Sequence, residues 1–172
     1  MSTNPYEIYL TADGSPTLAF TNADQYVEKM HHSKGALSES LYIYGSALQL
    51  ALTQGWPLRI ASVGLGLGYN EIIATAMTKS RDFHLISFEA DEVLRSAFRN
   101  WIGGGADLFS AYDKILHLVQ TSLETDQLRA LLKSAVDNRQ MELLGPFPQD
   151  LPEGFRATCV FYDDFSSKMS PE

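Results

Sequence analysis

The 172 residues hold a single cysteine, Cys159. That excludes an internal disulfide framework and a thiolate-cluster metal site within one chain. No apolar run approaches the roughly 18–20 uninterrupted residues of a membrane span. The start, Met1-Ser2-Thr3-Asn4-Pro5, has neither the basic region nor the apolar stretch of a secretory signal. Positive charge is scarce, with 13 Lys and Arg against 21 Asp and Glu and a net charge of −8. This argues against nonspecific nucleic-acid binding, which rests on phosphate neutralisation. A local basic patch is still allowed. Its candidate is the stretch from Lys29 to Lys34 with the pair His31-His32, read equally as a solvated loop with surface histidines. Internal repeats and low-complexity segments are absent. With 45% apolar residues, the composition is that of one globular, cytoplasmic chain long enough to bury a core.

What the chain does have is a run of glycines. Arg59-Ile60-Ala61-Ser62-Val63-Gly64-Leu65-Gly66-Leu67-Gly68-Tyr69-Asn70 reads as a buried strand that ends in three alternating glycines and enters a helix. Glycine has no Cβ, so such a loop either makes a tight strand-helix turn or lets backbone approach a ligand. About twenty residues on, His84-Leu85-Ile86-Ser87-Phe88-Glu89 is a second apolar strand ending in a carboxylate, where an open α/β sheet places the acid that grips a ribose.

The remaining pattern fills in around these two strands. Tyr6 to Phe20 alternates around Asp13-Gly14-Ser15-Pro16 and predicts a β-hairpin. Asn22 to Ser33 predicts short helix and loop, and Ser38 to Thr53 a helix ending near Gly55 and Pro57. Strand-helix alternation then begins, with strand 1 at Leu58–Val63, a helix from Asn70 to Thr78, strand 2 at Phe83–Phe88 and a helix from Asp91 to Trp101. Lys114–Val119 is expected as strand 3. Thr121-Ser122-Leu123-Glu124 is expected as a capping box opening a helix to Val136. Ala157–Tyr162 is expected as strand 4, ending at Asp163-Asp164. This order implies a mainly parallel sheet with ligands bound beyond the carboxyl ends of its strands. Gly64, Gly66, Gly68, Glu89, Ser122 and Asp163 all fall at such ends. The division expected is an N-terminal extension, 1–57, and a nucleoside-binding domain, 58–172.

The third glycine comes one residue earlier than in the Gly-x-Gly-x-x-Gly of dinucleotide sites, which disfavours an NAD-binding oxidoreductase half. Gly64-x-Gly66-x-Gly68 is similar to the loop of class I S-adenosylmethionine-dependent methyltransferases. Three further segments narrow the resemblance to MnmC-like methyltransferases. His32-Ser33-Lys34-Gly35-Ala36-Leu37-Ser38-Glu39-Ser40 resembles their His-Ser-x-x-Gly-Ala-Leu-x-Glu-Ser. Ser87-Phe88-Glu89 matches their Ser-Phe-Glu. The stretch from Tyr162 to Glu172 is similar to their Asp-x-Phe-(Ala/Ser)-Pro-x-x-x-Pro-Glu.

The resemblance implies methyl transfer from S-adenosylmethionine to the aminomethyl group of a tRNA wobble uridine. Asp163 would be the catalytic carboxylate that accepts or orients the amine's proton. Gly64, Gly66, Gly68, Asn70, Glu89 and Ser122 would hold the cofactor, and Ser33, Glu39 and Phe165 would shape the substrate pocket. Asn70 reads equally as a helix cap. Tyr69, Tyr42 and Phe165 are candidates to stack on a base, or plain packing residues. No spacing of His, Cys or carboxylates calls for a metal. Position 62 carries serine where the family often has a glutamate beside the methionine amino group. The fold class implied is a Rossmann-like class I sheet with an N-terminal hairpin and helix, without strands 5–7. Its open strand 4 edge would pair with a second copy or a partner chain. The alternative function is a noncatalytic nucleoside-binding module.

Overall fold

The structure, a computed structural model, describes residues 6–21, 27–31, 33–79, 81–119 and 123–163. Two strands, β1 (Tyr6–Leu10) and β2 (Pro16–Thr21), form the expected hairpin, and β3 (Val27–Lys29) adds a third antiparallel strand beside β2. The hairpin turn also organises the helix that follows. Asp13 Oδ2 accepts from Ser38 N at 3.0 Å and Ser38 Oγ at 2.8 Å, while Leu37 N donates to Ser15 Oγ and Ala36 N to Thr11 Oγ1. Gly35, at the N-cap of α1 (Ala36–Ser40), has no side chain to offer. The turn does that work in its place. Helix α1 runs through one widened π turn, Leu41–Gly45, into α2 (Ser46–Gln54), which ends on Gly55 in the left-handed conformation.

Among the described residues the main sheet is parallel and four-stranded, in the order β6 (Met141–Leu144), β5 (His84–Phe88), β4 (Arg59–Val63), β7 (Cys159–Tyr162). Counting these as strands 1 to 4 of the sheet, the order is 3-2-1-4, the first half of a doubly wound fold. Between the strands come α3 (Tyr69–Thr78), α4 (Glu92–Ile102), α5 (Tyr112–Leu118) and α6 (Thr125–Asp137).

One face of the sheet carries Ile60, Leu85, Met141, Leu143, Cys159 and Phe161, which pack into a core with the helices. Tyr6, Leu18 and Ala36 join that same core, so the hairpin and the sheet share one apolar interior. The opposite face holds a smaller cluster, Ala61, Val63, Ile86 and Phe88, covered by Leu144, Phe155 and Ala157. Phe147, on the same loop, sets its ring edge-on to Phe88. Among the described residues a loop, not a helix, covers that face. β7 lies at the sheet edge with Val160 and Tyr162 exposed.

One expectation fails. Lys114–Val119 is not strand 3: Lys114 to Leu118 lie in α5 and Val119 is its C-cap, because Tyr112, Ile115 and Leu116 are buried at helical spacing beside Trp101. The third strand is Met141–Leu144, which has the alternating burial of a strand. Of the stretch 22–33, where short helix and loop are expected, residues 22–26 and 32 lie outside the described residues, and Val27–Lys29 form β3. The capping box is real but starts later. Glu124 is the N-cap of α6, with Gln127 reaching back to its backbone N–H.

Candidate functional site

Parallel pairing brings the carboxyl ends of the strands level. Val63 stands opposite Phe88 on one side and Tyr162 on the other, so Gly64, Glu89 and Asp163 emerge side by side. The order reverses between β4 and β7, where open α/β sheets bind ligands. Gly64 and Asp163 flank that point, and Asp163 N donates to Val63 O at 2.9 Å.

All three glycines have positive φ, 88° at Gly64, 50° at Gly66 and 72° at Gly68, so the loop is one that other residues would strain. Gly68 is the N-cap of α3, and a Cβ there would run into the ring of Phe98. A Cβ at Gly66 would stand 2.9 Å from Met30 Sδ. Gly66 N donates to Glu89 Oε2 at 3.2 Å, and Asp91 N to Glu89 Oε1 at 3.0 Å. Glu89 thus ties the glycine loop to the start of α4. A carboxylate at the end of the second strand is the kind of group that holds ribose hydroxyls in open α/β sheets.

Asn70 is not a cap. It lies within the first turn of α3, 2% exposed, with Oδ1 making no hydrogen bond. It lines a small cavity with Met30, His31, Gly64, Leu65, Gly66, Tyr69 and Asp163. A buried acceptor without a donor is costly, and a ligand N–H or O–H would relieve that cost. The cavity measures about 10 Å³, space for one water. The Met30 thioether fills the region over Gly66, and methionine has the rotational freedom to leave it. The residues present therefore fit S-adenosylmethionine in kind: a glycine loop, a ribose-type acid and an unpaired amide oxygen. Admitting it requires Met30 to turn aside.

The other predicted residues spread more widely. Glu39, half-buried on α1, acts electrostatically on His31 and Tyr44 at the edge of the crevice. Ser33 is exposed, and its backbone oxygen accepts from Ala12 N. Tyr69 is a packing residue, 3% exposed with its hydroxyl on Pro16 O at 2.6 Å. Tyr42 faces solvent, and Cys159 is buried in the core. Ser122 and Phe165 lie outside the described residues, as do His32 and Asp164. Among the described residues no cluster of His, Cys, Asp and Glu could hold a metal. A wider groove of about 460 Å³ along α4, lined by Val93, Ala97 and Leu108 among others, contains none of the predicted site residues.

Two residues of the site were missed. His31 is not a surface histidine: it is buried beside the ring of Tyr69, and its Nε2 stands 3.7 Å from Asp163 Oδ2. Burial holds its pKa below the ordinary histidine value, although Glu39 and Asp13 pull it up. Glu71, on α3, is fully buried against the sheet. Its Oε1 accepts from Ser87 Oγ at 2.7 Å, while Ser62 lies beside the same carboxyl without closing a hydrogen bond. Burial pushes the Glu71 pKa up to about 7. The position that lacks a strand carboxylate, Ser62, therefore has one beside it from the helix. A signal existed: Glu71 is the one charge in Tyr69-Asn70-Glu71-Ile72-Ile73-Ala74-Thr75-Ala76, otherwise almost entirely apolar.

No family model and no curated protein sequence matches the chain. Among solved structures, the crystal structure of MnmC2 from Aquifex aeolicus matches over 96% of this chain with a TM-score of 0.59 and 25% identity. The fold is that of an MnmC-like methyltransferase domain. The match covers 51% of the MnmC2 chain, so the protein spans about half the length of that structure. Likeness to MnmC2 runs through the hairpin as well as the sheet, since the matched share leaves almost nothing of this chain out.

Proposed function

We propose that the chain is an S-adenosylmethionine-dependent methyltransferase domain acting on the aminomethyl group of a tRNA wobble uridine, in the cytoplasm. The observation that carries this reading is the placement of Asp163 beside Gly64 at the reversal of strand order, on a fold shared with MnmC2. When bound, S-adenosylmethionine supplies a methyl carbon on a sulfonium, open to attack by an amine. Gly64, Gly66 and Gly68 would bring backbone against it, Glu89 would take its ribose hydroxyls, and Asn70 Oδ1 would accept one of its donors. Ser122 would add a hydroxyl.

The amine must be neutral to attack, and a carboxylate next to it takes the proton that the ammonium form loses. Asp163 supplies that carboxylate. The buried walls formed by His31, Tyr69 and Leu65 exclude water and fix the approach of the nitrogen. Glu39, Ser33 and Phe165 would border the nucleotide. The exposed β7 edge is where a second copy or a partner strand would pair.

Asp163→Asn tests the reading. It should lower methylation of aminomethyl-uridine tRNA at least about 100-fold while S-adenosylmethionine affinity changes little. Equal turnover by the variant removes Asp163 from the chemistry. One observation favours the alternative of a noncatalytic nucleoside-binding module: the narrowness of the cavity. Saturable cofactor binding with no turnover in the unaltered chain would select it.

A further inference from the structure

His31 is reached from two sides. Thr17 Oγ1 on β2 stands 3.2 Å from His31 Nδ1 and accepts from His31 N at 3.2 Å, and Asp163 faces the other ring nitrogen. The tautomer follows from these contacts. The Thr17 hydroxyl proton has two acceptors in reach, His31 Nδ1 at 3.2 Å and Leu18 O at 3.5 Å, and the shorter contact favours the ring. The opposite tautomer would point an imidazole lone pair at the Asp163 carboxylate in a buried setting, acceptor against acceptor. Both considerations place the ring hydrogen on Nε2, toward Asp163.

We propose that His31 is a positioning residue for Asp163, its Nε2–H keeping the carboxylate ionised and aimed into the crevice; the inference rests on the proton-acceptor role given to Asp163 above. Among the described residues, the charged and titratable groups around the pair are Asp13 from the hairpin turn, Glu39 from α1, Tyr44 from the π turn, and Tyr69 and Glu71 from α3. Burial lowers the His31 pKa and prevails over Glu39 and Asp13, which pull it up, so the environment favours the neutral ring. Neutrality matters. A neutral imidazole gives Asp163 one donor without forming a full ion pair, so the carboxylate retains its affinity for the amine's proton. The 3.7 Å separation exceeds a hydrogen bond, and such contacts commonly shorten when the reactants enter.

The test follows the Asp163 carboxyl by carbon-13 NMR on aspartate-labelled protein, with Asp163→Asn assigning the resonance. His31→Leu should raise the Asp163 titration midpoint by about one pH unit, and His31→Gln, which keeps a donor, should restore most of it. Thr17→Val should give an intermediate rise and carries the test if His31→Leu does not fold. In methyl transfer, the acid limb of kcat against pH should move upward in the same order, with KM for S-adenosylmethionine unchanged. An Asp163 midpoint that is the same in His31→Leu and Thr17→Val as in the unaltered chain overturns the proposal. The NMR readout needs no turnover. A chain that titrates as expected but methylates nothing overturns the proposed function, whereas an active chain with unchanged titration overturns the role of His31 alone.

Discussion

Glu71 has no route to water, and its neutral form is favoured because an ionised carboxyl there would be desolvated with one serine hydrogen bond. A group whose folded pKa is raised contributes stability that is full below its unfolded pKa and is lost as pH rises through the folded value. For Glu71 that window runs from 4.5 to about 7. Denaturant unfolding should therefore show the unaltered chain losing about 3 kcal/mol relative to Glu71→Gln across that window. Parallel pH profiles would show that Glu71 is ionised in the fold. Gly68 makes a second single-residue case. At φ 72° and against Phe98, Gly68→Ala should cost about 2–4 kcal/mol by strain and overpacking together, read from the shift in urea midpoint. At this scale the sequence was legible where chemistry repeats in a short stretch. The glycines and Glu89 stand where their spacing put them. His31 was not legible, because its burial depends on Thr17, Tyr69 and Asp163, residues far from it along the chain.

The elements nearest the site are fixed by contacts across the chain. The Thr11–Ser15 turn serves as the missing cap of α1, and the hydroxyls of Ser15, Thr11 and Ser38 hold the Asp13 pKa low even though partial burial works the other way. Asp13→Ala should lower stability by about 1 kcal/mol, the usual cost of a lost N-cap acceptor. Amide exchange should rise at Leu37 and Ser38 before the rest of α1. Uniform exchange along the helix would mean that the turn does not cap it. Element type was readable wherever periodicity was clean, as in β4, α3, β5 and α4. It failed at Lys114–Val119, a short apolar run that periodicity alone cannot assign. There Trp101, stacked on Tyr112 at 5.0 Å, with its indole N–H on Asp113, decides for helix.

Over the whole molecule, one apolar interior links the hairpin to the sheet. Leu18, fully buried on β2, shares it with Leu48, Tyr69 and Phe98. Leu18→Ala should cost about 2–5 kcal/mol and leave a single unfolding transition by near-UV and far-UV probes together. A separate early transition would show that the hairpin melts on its own. The sheet order 3-2-1-4 sets Asp163 next to the glycine loop although nearly a hundred residues separate them in sequence. Strand-helix alternation made a mainly parallel sheet readable, while the order of its strands and the true third strand waited on the structure. The claim on which everything else depends is that this crevice takes an adenosyl methyl donor. Titration calorimetry with S-adenosylmethionine, with NAD as the control, tests it most directly. The expected result is saturable one-to-one heat with S-adenosylmethionine, weakened at least about tenfold by Glu89→Gln, and none with NAD. Absence of heat with S-adenosylmethionine at millimolar concentration, or equal binding of NAD, would contradict it.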